Sequence, residues 1–333
     1  MDIFFIKEDT TMKKIAALIL SLILGVSCFS AVAEDKPVIG IIQLMEHVAL
    51  SAAREGFIDA LKANGYEDGV NITIDYQNGQ GETTNLSTIA DRFVGEKADL
   101  VLAIATPAAQ MMASKTETIP ILGTAITDYV EALLAESNEK PGYNITGTSD
   151  MNPIADQIAL LKELVPDAKT VGVLYTSSET NSVLQAKIAR EAIEKLGMTY
   201  TEVTVTGTND VQQATQRIVG QCDAIYIPTD NVFASSMSIV FGVTGESKTP
   251  VICGEEGMTM AGGLATLGIS YYDLGYQTGV MAVQVLQGAS VSDMPIQFAT
   301  GFEYRVNQTV ADEIGFQIPE KYQPYAVKMD LAE

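Results

Sequence analysis

VIGIIQLMEHVALSAAREGFIDALKANGY, residues 38–66, decides the fold. Residues 38–44 form a nearly unbroken apolar run, the pattern of a parallel strand buried on both faces. A polar elbow follows at Glu46 and His47, and a helical pattern begins behind it. Leu50, Ala53, Phe57, Ile58 and Leu61 fall at spacings of three and four and make one apolar face, and Gly65 stands where a left-handed residue closes a helix. The same plan returns in residues 171–200, VGVLYTSSETNSVLQAKIAREAIEKLGMTY. There Leu184, Ile188, Ala192 and Leu196 recur every four residues, Ile193 lies at the edge of their face, and Gly197 closes the helix. Ala53-Arg54-Glu55 recurs as Ala189-Arg190-Glu191. Two copies of strand, elbow and helix predict two similar lobes whose strand-end loops face each other.

Working outward, strands are predicted at 71–77, 98–105, 120–126, 171–175, 199–206, 223–228, 250–253 and 263–268. Helices alternate with them at 83–95, 153–164, 182–196, 210–220, 231–243, 271–286 and 308–314, and Pro107 fits the first turn of a further one. Leu86, Ile89, Ala90 and Phe93 point inward from the helix at 83–95. Such alternation implies an α/β fold of parallel sheets covered on both faces: two Rossmann-like lobes joined by a hinge. Periodicity weakens over 127–153, where Pro141, Gly142, Gly147 and Pro153 interrupt it, and Thr148, Ser149 and Asp150 are placed at the first crossing. The helix at 271–286 is expected to cross back, and the tail, extended over 298–306, to return to the second lobe. The lobes are thus 34–147 with about 271–300, and 148–270 with about 301–333.

At 333 residues each lobe can bury its own core, and a net charge of -22 argues against nucleic acid, which demands clustered Lys and Arg. Three cysteines are too few for a disulfide scaffold. Lys13 and Lys14 precede an apolar run at 15–26 followed by small residues, the pattern of an export signal with Met12 as its natural start. The leader either ends at Ala31-Val32-Ala33, giving a signal peptide of 1–33, or ends at 27 before Cys28, which would then carry a lipid anchor. Nothing later is long and apolar enough for a transmembrane helix, so membrane contact rests on that anchor alone.

In parallel sheets ligands bind beyond the carboxyl ends of the strands, where helix N-termini present free amides. Those ends carry Glu46, His47 and Ser51; Thr106 and Ala108; Thr127 and Asp128; Ser149 and Asp150; Ser177, Ser178 and Asn181; Thr229, Asp230 and Asn231; and Glu255 and Glu256. The set is acidic and hydroxylic and holds no Arg or Lys, so a phosphate or dicarboxylate fits poorly and a neutral or ammonium-bearing solute fits well. Each residue has a plainer reading. Thr229-Asp230-Asn231 is what N-capping alone selects, His47 reads as a loop residue, and Tyr271 and Tyr272 either stack on a planar ligand or anchor their helix. No nucleophile with a base, metal-ligand cluster or cofactor loop is present; GVTGESKT at 242–249 fails as a phosphate loop because a strand follows it. Cys222 and Cys253 fall at opposite ends of neighbouring strands, about 15 Å apart, too far for a disulfide.

The motifs QLMEHVALSAAREGF, TPAAQ, GTSDMNP, YTSSETNS, PTDN, GEEGM and LGISYYDLGYQTG, in this order across the mature chain, resemble the substrate-binding proteins of ABC transporters, in the group that includes tryptophan and tyrosine binders. The resemblance implies a type I periplasmic-binding-protein fold, a place outside the cytoplasm, no enzymatic activity and no cofactor. It also implies delivery of an amino acid, aromatic by analogy, to a permease with its ATPase. Ligand contact carries over by similarity to Glu46, Thr106, Ala108, Ser149, Asn181, Asp230 and Glu255, and Asp128 joins them from the strand-end reading alone. The family usually has Pro after the histidine of the first motif, where this chain has Val48. Two alternatives stay open: an exported sensing module for a signalling receptor, and a binder of another neutral solute such as a sugar or nucleoside.

Overall fold

Strand β1 (Val38–Gln43) leads into helix α1 (Val48–Ala63), and the alternation continues through β2 (Thr73–Asn78), α2 (Thr83–Glu96), β3 (Leu100–Ile104), α3 (Thr106–Ala113), β4 (Ile121–Ile126) and β5 (Ile145–Ser149). The structure, a computed structural model, describes Met1 and residues 36–328; the expected signal peptide and Cys28 lie outside the described residues. A second series follows: α4 (Ile154–Leu164), β6 (Thr170–Thr176), α5 (Thr180–Lys195), β7 (Thr199–Val205), α6 (Val211–Val219), β8 (Ala224–Ile227), α7 (Asn231–Ala234), α8 (Met237–Ser247), β9 (Val251–Cys253), α9 (Glu256–Met260) and β10 (Ala265–Gly268). Helix α10 (Tyr271–Leu286), β11 (Gln297–Phe298), β12 (Glu303–Asn307), α11 (Gln308–Ile314) and β13 (Ala326–Val327) close the series.

Two sheets result, ordered β11-β5-β4-β3-β1-β2 and β13-β12-β10-β9-β8-β6-β7. The first is parallel throughout, while the second departs from the expected parallel pattern where β12 runs antiparallel to β10. With the late strands set aside, both sheets have the same doubly wound order, second-first-third-fourth-fifth, whose switch point lies between the first and third strands. Val38 and Thr170, Val48 and Thr180, and Gly65 and Gly197 are separated by the same number of positions, so strand start, helix start and closing glycine coincide in the two copies. Both glycines have positive φ, 86° and 75°, as a left-handed helix terminus requires. The Ala-Arg-Glu recurrence falls one helical turn out of this register, in which Ala53 corresponds to Gln185.

Several expectations are corrected. Strand β5 lies inside the region read as a crossing, which therefore begins only after Ser149. The helix expected over 231–243 is broken at Ser235 and Ser236 into α7 and α8, and α9 was not expected. On α5 the buried row is Asn181, Ser182, Gln185, Ala186, Ala189 and Ile193; Leu184, Ile188 and Ala192 are half-buried, and Leu196 is 43% exposed. Small residues bring this helix close to its sheet, and its first turns are turned to bury polar groups instead of the leucine row.

The chain passes between the sheets after β5, after β10 and between β11 and β12. After the second passage α10 packs on α1 at backbone contact. A Cβ on Gly275 would stand 1.9 Å from Ala53 O, and one on Gly56 would stand 2.0 Å from Tyr272 O, so no larger residue fits either position. This contact joins α10 to the same core as β1, β3 and β4, while a separate pair of apolar clusters covers the two faces of the second sheet.

Candidate functional site

Beyond the facing strand ends lies a narrow cavity of about 20 Å³. That is room for about one water molecule, far below the range for small-molecule sites, about 300–1,000 Å³, so the walls must part before a larger solute enters. His47, Ala49, Leu50, Ala125, Thr127, Asp150 and Tyr271 line one side; Asn181, Thr229, Asp230, Asn231, Ala234 and Glu255 line the other. Ala125, one residue before the end of β4, has φ of 56°, and Ala105, after β3, has φ of 83°. Left-handed alanines are strained by about 1–3 kcal/mol each, and such strain gathers at ligand sites.

His47 and Glu179 occupy the same place in the two copies, the N-cap of α1 and of α5, yet neither caps its own helix. Both reach Asn231 instead. Asn231 Nδ2 donates to Glu179 Oε2 at 2.6 Å, and Asn231 Oδ1 lies 3.2 Å from His47 Nε2. With Nδ2 committed to the carboxylate, Oδ1 is the acceptor, so His47 carries its proton on Nε2 and presents a bare lone pair at Nδ1. Burial lowers the imidazole pKa to about 4 and keeps it neutral. Gln185 makes a second link across the cavity: its Nε2 donates to Thr127 Oγ1 at 3.3 Å, and its Oε1 accepts from Thr229 Oγ1 at 2.7 Å.

Four carboxylates, Asp150, Glu179, Asp230 and Glu255, are buried around this cavity, and among the described residues none forms an ion pair with Lys or Arg. Desolvation pushes all four pKa values up, Glu179 to about 8 with help from the Asp230 charge, and Glu255 to about 7. Asp230 is fully occupied, accepting from Thr176 N at 2.6 Å, Thr176 Oγ1 at 2.8 Å and Phe233 N at 3.0 Å. Glu255 caps α9 through Gly257 N at 2.5 Å and Met258 N at 2.6 Å. Asp150 is different. Its Oδ2 accepts from Tyr271 OH at 2.6 Å, while its buried Oδ1 has no hydrogen-bond partner of normal geometry. His47 Nδ1, Asn181 Oδ1 and Thr106 Oγ1 are likewise buried without a partner. Asn152 Oδ1 and Thr266 Oγ1 share this state away from the lining, but buried polar atoms are nearly always bonded, and Asp150, His47 and Asn181 all line the cavity, so these three point to something it is built to hold.

Of the eight residues expected to touch ligand, Asn181, Asp230 and Glu255 line the cavity. Thr106 and Ala108 are buried in the first turn of α3, behind the strained Ala105. Ser149 staples the first crossing, donating to Thr127 O at 2.8 Å and accepting from Met151 N at 3.2 Å. Asp128 turns back on its own loop and accepts from Val130 N and Glu131 N, both at 2.9 Å. Glu46 is drawn outward by Ser51 at 2.5 Å, Tyr76 at 2.5 Å and Arg54 at 3.0 Å. Burial alone would raise its pKa, but these hydrogen bonds outweigh it and hold the carboxyl at about 2. Thr106, Ala108, Ser149, Asp128 and Glu46 are thus not among the residues that line the cavity. Glu179 and Gln185 went unrecognised. The copy-to-copy register was their signal, since it sets Glu179 opposite His47 and Gln185 opposite Ala53.

Two doubly wound lobes, three chain passages and a polar cavity between facing strand ends define a two-lobe solute-binding protein. Residues 38–329 match the family described as ABC transporter substrate binding protein, and the chain belongs to that family, one of extracytoplasmic binding proteins and not of enzymes. It is 41% identical over 321 residues to the tyrosine-binding protein of Clostridioides difficile (strain R20291), covering 92% of this chain and 93% of the relative. A crystal structure of an ABC domain from Streptococcus pneumoniae in complex with L-Trp is 37% identical with a TM-score of 0.85, over 89% of this chain and 100% of that one. The ligand-free, open structure of a substrate-binding protein with adhesive properties from Clostridium difficile is 44% identical but has a TM-score of 0.68, over 88% and 100%. Similarity in shape thus runs against similarity in sequence: the lobes stand nearer the arrangement of the L-Trp complex than that of the open protein. Among the described residues no helix is long and apolar enough to cross a membrane, and Cys222 and Cys253 are free thiols.

Proposed function

We propose that this chain captures an aromatic amino acid between its lobes and presents it to an ABC permease and ATPase for import. The observation that carries the reading is a narrow cavity lined by unmatched acceptors, one of them a buried carboxylate, with no Lys or Arg in its lining. An ammonium group supplies what Asp150 Oδ1 lacks. The ligand carboxylate belongs at the first turn of α3, at Thr106 and Ala108 just behind the lining, where amide groups and the helix dipole favour negative charge and no side-chain cap competes. Asn181, Asp230 and Glu255 complete the opposite wall, and Ala49, Leu50, Ala125, Ala234 and Tyr271 supply the apolar surface that a ring would meet once the walls part.

The hinge in this reading is formed by the three passages at 150–153, 269–270 and 299–302. The relative named for tyrosine and the neighbour crystallised with L-Trp support an aromatic solute. Export rests on the leader, either cleaved after residue 33 or lipidated at Cys28; mass spectrometry of the mature N-terminus separates these routes.

A thermal-shift screen of the standard amino acids beside sugars and nucleosides tests the ligand. An aromatic amino acid at a hundred times its Kd should add about 2.7 kcal/mol of stability. A shift with a sugar or nucleoside and none with Trp, Tyr or Phe would overturn the reading. Loss of labelled amino-acid uptake on deleting the gene tests delivery.

A further inference from the structure

We infer that the site, on the aromatic-amino-acid reading above, distinguishes its ligands by a hydrogen-bond donor on the ring, read by Asn181 and His47. The polar lining falls into two groups. Asp150, with the Tyr271 hydroxyl on its Oδ2, forms the first beside the chain passages. Glu179, Asn181, Asn231 and His47 form the second, tied together through Glu179 Oε2 and the Asn231 carboxamide.

In the second group every side-chain N–H donor is already committed. Asn181 Nδ2 serves Glu179 Oε2 at 3.2 Å, Thr229 O at 3.2 Å and Ser182 Oγ at 3.3 Å, which fixes the amide and leaves Oδ1 as an acceptor. Asn231 Nδ2 serves Glu179, and Gln185 Nε2 serves Thr127 Oγ1, Asn181 O and Thr229 O. Two acceptors remain, Asn181 Oδ1 and His47 Nδ1, both buried and both on cavity-lining residues. Asp150 holds the ligand ammonium in the first group, so the donor for the second must come from the far end of the ligand. A phenol O–H or an indole N–H supplies it. A bare phenyl ring leaves both acceptors desolvated against carbon, the situation that sites built around a ligand hydroxyl use to reject its deoxy analogue.

Calorimetry on the intact mature protein with L-tyrosine, L-tryptophan, L-phenylalanine, O-methyl-L-tyrosine and 1-methyl-L-tryptophan tests this without altering the fold. Tyrosine or tryptophan should bind at least about tenfold more tightly than phenylalanine and than its own methylated form. Asn181→Ala should narrow that ratio, because the donor-bearing ligand loses more affinity than phenylalanine does. Phenylalanine binding within about threefold of both donor-bearing ligands would overturn the assignment, even if the methylated compounds bind poorly, since bulk alone would then explain them. Failure of all five to bind would instead remove the aromatic-amino-acid reading on which the assignment rests.

Discussion

Helices α1 and α5 stand at the same place in the two copies, but their first two turns face different tasks. Ala49, Leu50 and Ala53 of α1 correspond to Asn181, Ser182 and Gln185 of α5, and all six are buried. The first set is apolar. Further along α1, Gly56 and Ala60 let α10 approach to backbone contact, so one copy supplies a rigid wall. The second set is polar, and with Glu179 and Asn231 it supplies the fixed amides and carbonyls that meet a solute. A duplicated unit can therefore divide its labour by changing a few positions on one helix while the strand order stays the same. Asp150 belongs to neither helix; it sits at the first passage, held by the Tyr271 hydroxyl of α10.

That placement gives the largest expected effect. Asp150→Asn keeps the size of the side chain and an acceptor for Tyr271 but removes the charge proposed to meet the ammonium. Ligand affinity should fall by more than about a hundredfold, the scale of losing one partner of a buried charge pair. The ligand-free protein should melt higher, because a buried acid without a cation is gone. Calorimetry and a melting curve check both signs, and unchanged affinity would show that recognition lies wholly within the two helices.

The wall of the first copy can be broken separately. Gly275→Ala drives a methyl group into Ala53 O, and overpacking of this kind costs about 1–3 kcal/mol. Denaturant titration should show that loss. Gln185→Ala, at the position matching Ala53, should cost less stability and more affinity. Equal losses from both substitutions would erase the contrast between the helices.

Acids of the second lobe predict a pH dependence. Glu179 and Glu255 titrate in the folded protein near 8 and 7, above the unfolded carboxyl value near 4.5. The folded state therefore holds these protons more tightly, and between the two ranges the unfolded state binds fewer. Stability of the ligand-free protein should fall as pH rises from about 4.5 to about 8 and then level off. Melting temperatures across that window check it, and Glu179→Gln should flatten the slope. A rise in melting temperature over the same window would mean that these carboxylates are not neutralised on folding.

Much of this division was legible from sequence, and the exceptions have physical causes. Leu86, Ile89, Ala90 and Phe93 are all buried as their spacing requires, and the bounds of α10 and α11 follow from their patterns. Strand β5, ITGTS, was hidden by its threonines and by Gly147, whose φ of 148° no periodicity announces. Its fit depends on Tyr129, which donates to Gly123 O at 2.8 Å and Thr148 O at 3.1 Å, a long-range closure invisible to a local window. The face of α5 was misread because a regular leucine row looks like a core while the true buried row begins with Asn181, Ser182 and Gln185. The strand-end rule found most of the cavity lining, but it cannot say which way an acid turns.

Glu46 is the case in point and gives the smallest expected effect. It follows β1 directly, as a ligand-binding acid would, yet Arg54 reaches it from the next turns of α1 while stacking 4.1 Å above the Tyr76 ring. The corresponding position of the second copy is Ser178, which has no charge to be captured, so the elbow there has no comparable outward pull. Glu46→Gln should leave ligand affinity within about threefold, since the side chain is more than half exposed and exposed ion pairs contribute little. It should also remove the stability that its lowered pKa contributes above about 4.5 and that is lost as pH falls toward 2. Calorimetry beside Asp150→Asn makes the comparison direct. A loss for Glu46→Gln as large as that for Asp150→Asn would require the carboxylate to swing inward on binding, breaking its three present hydrogen bonds, and the first copy would then contribute charge as well as shape.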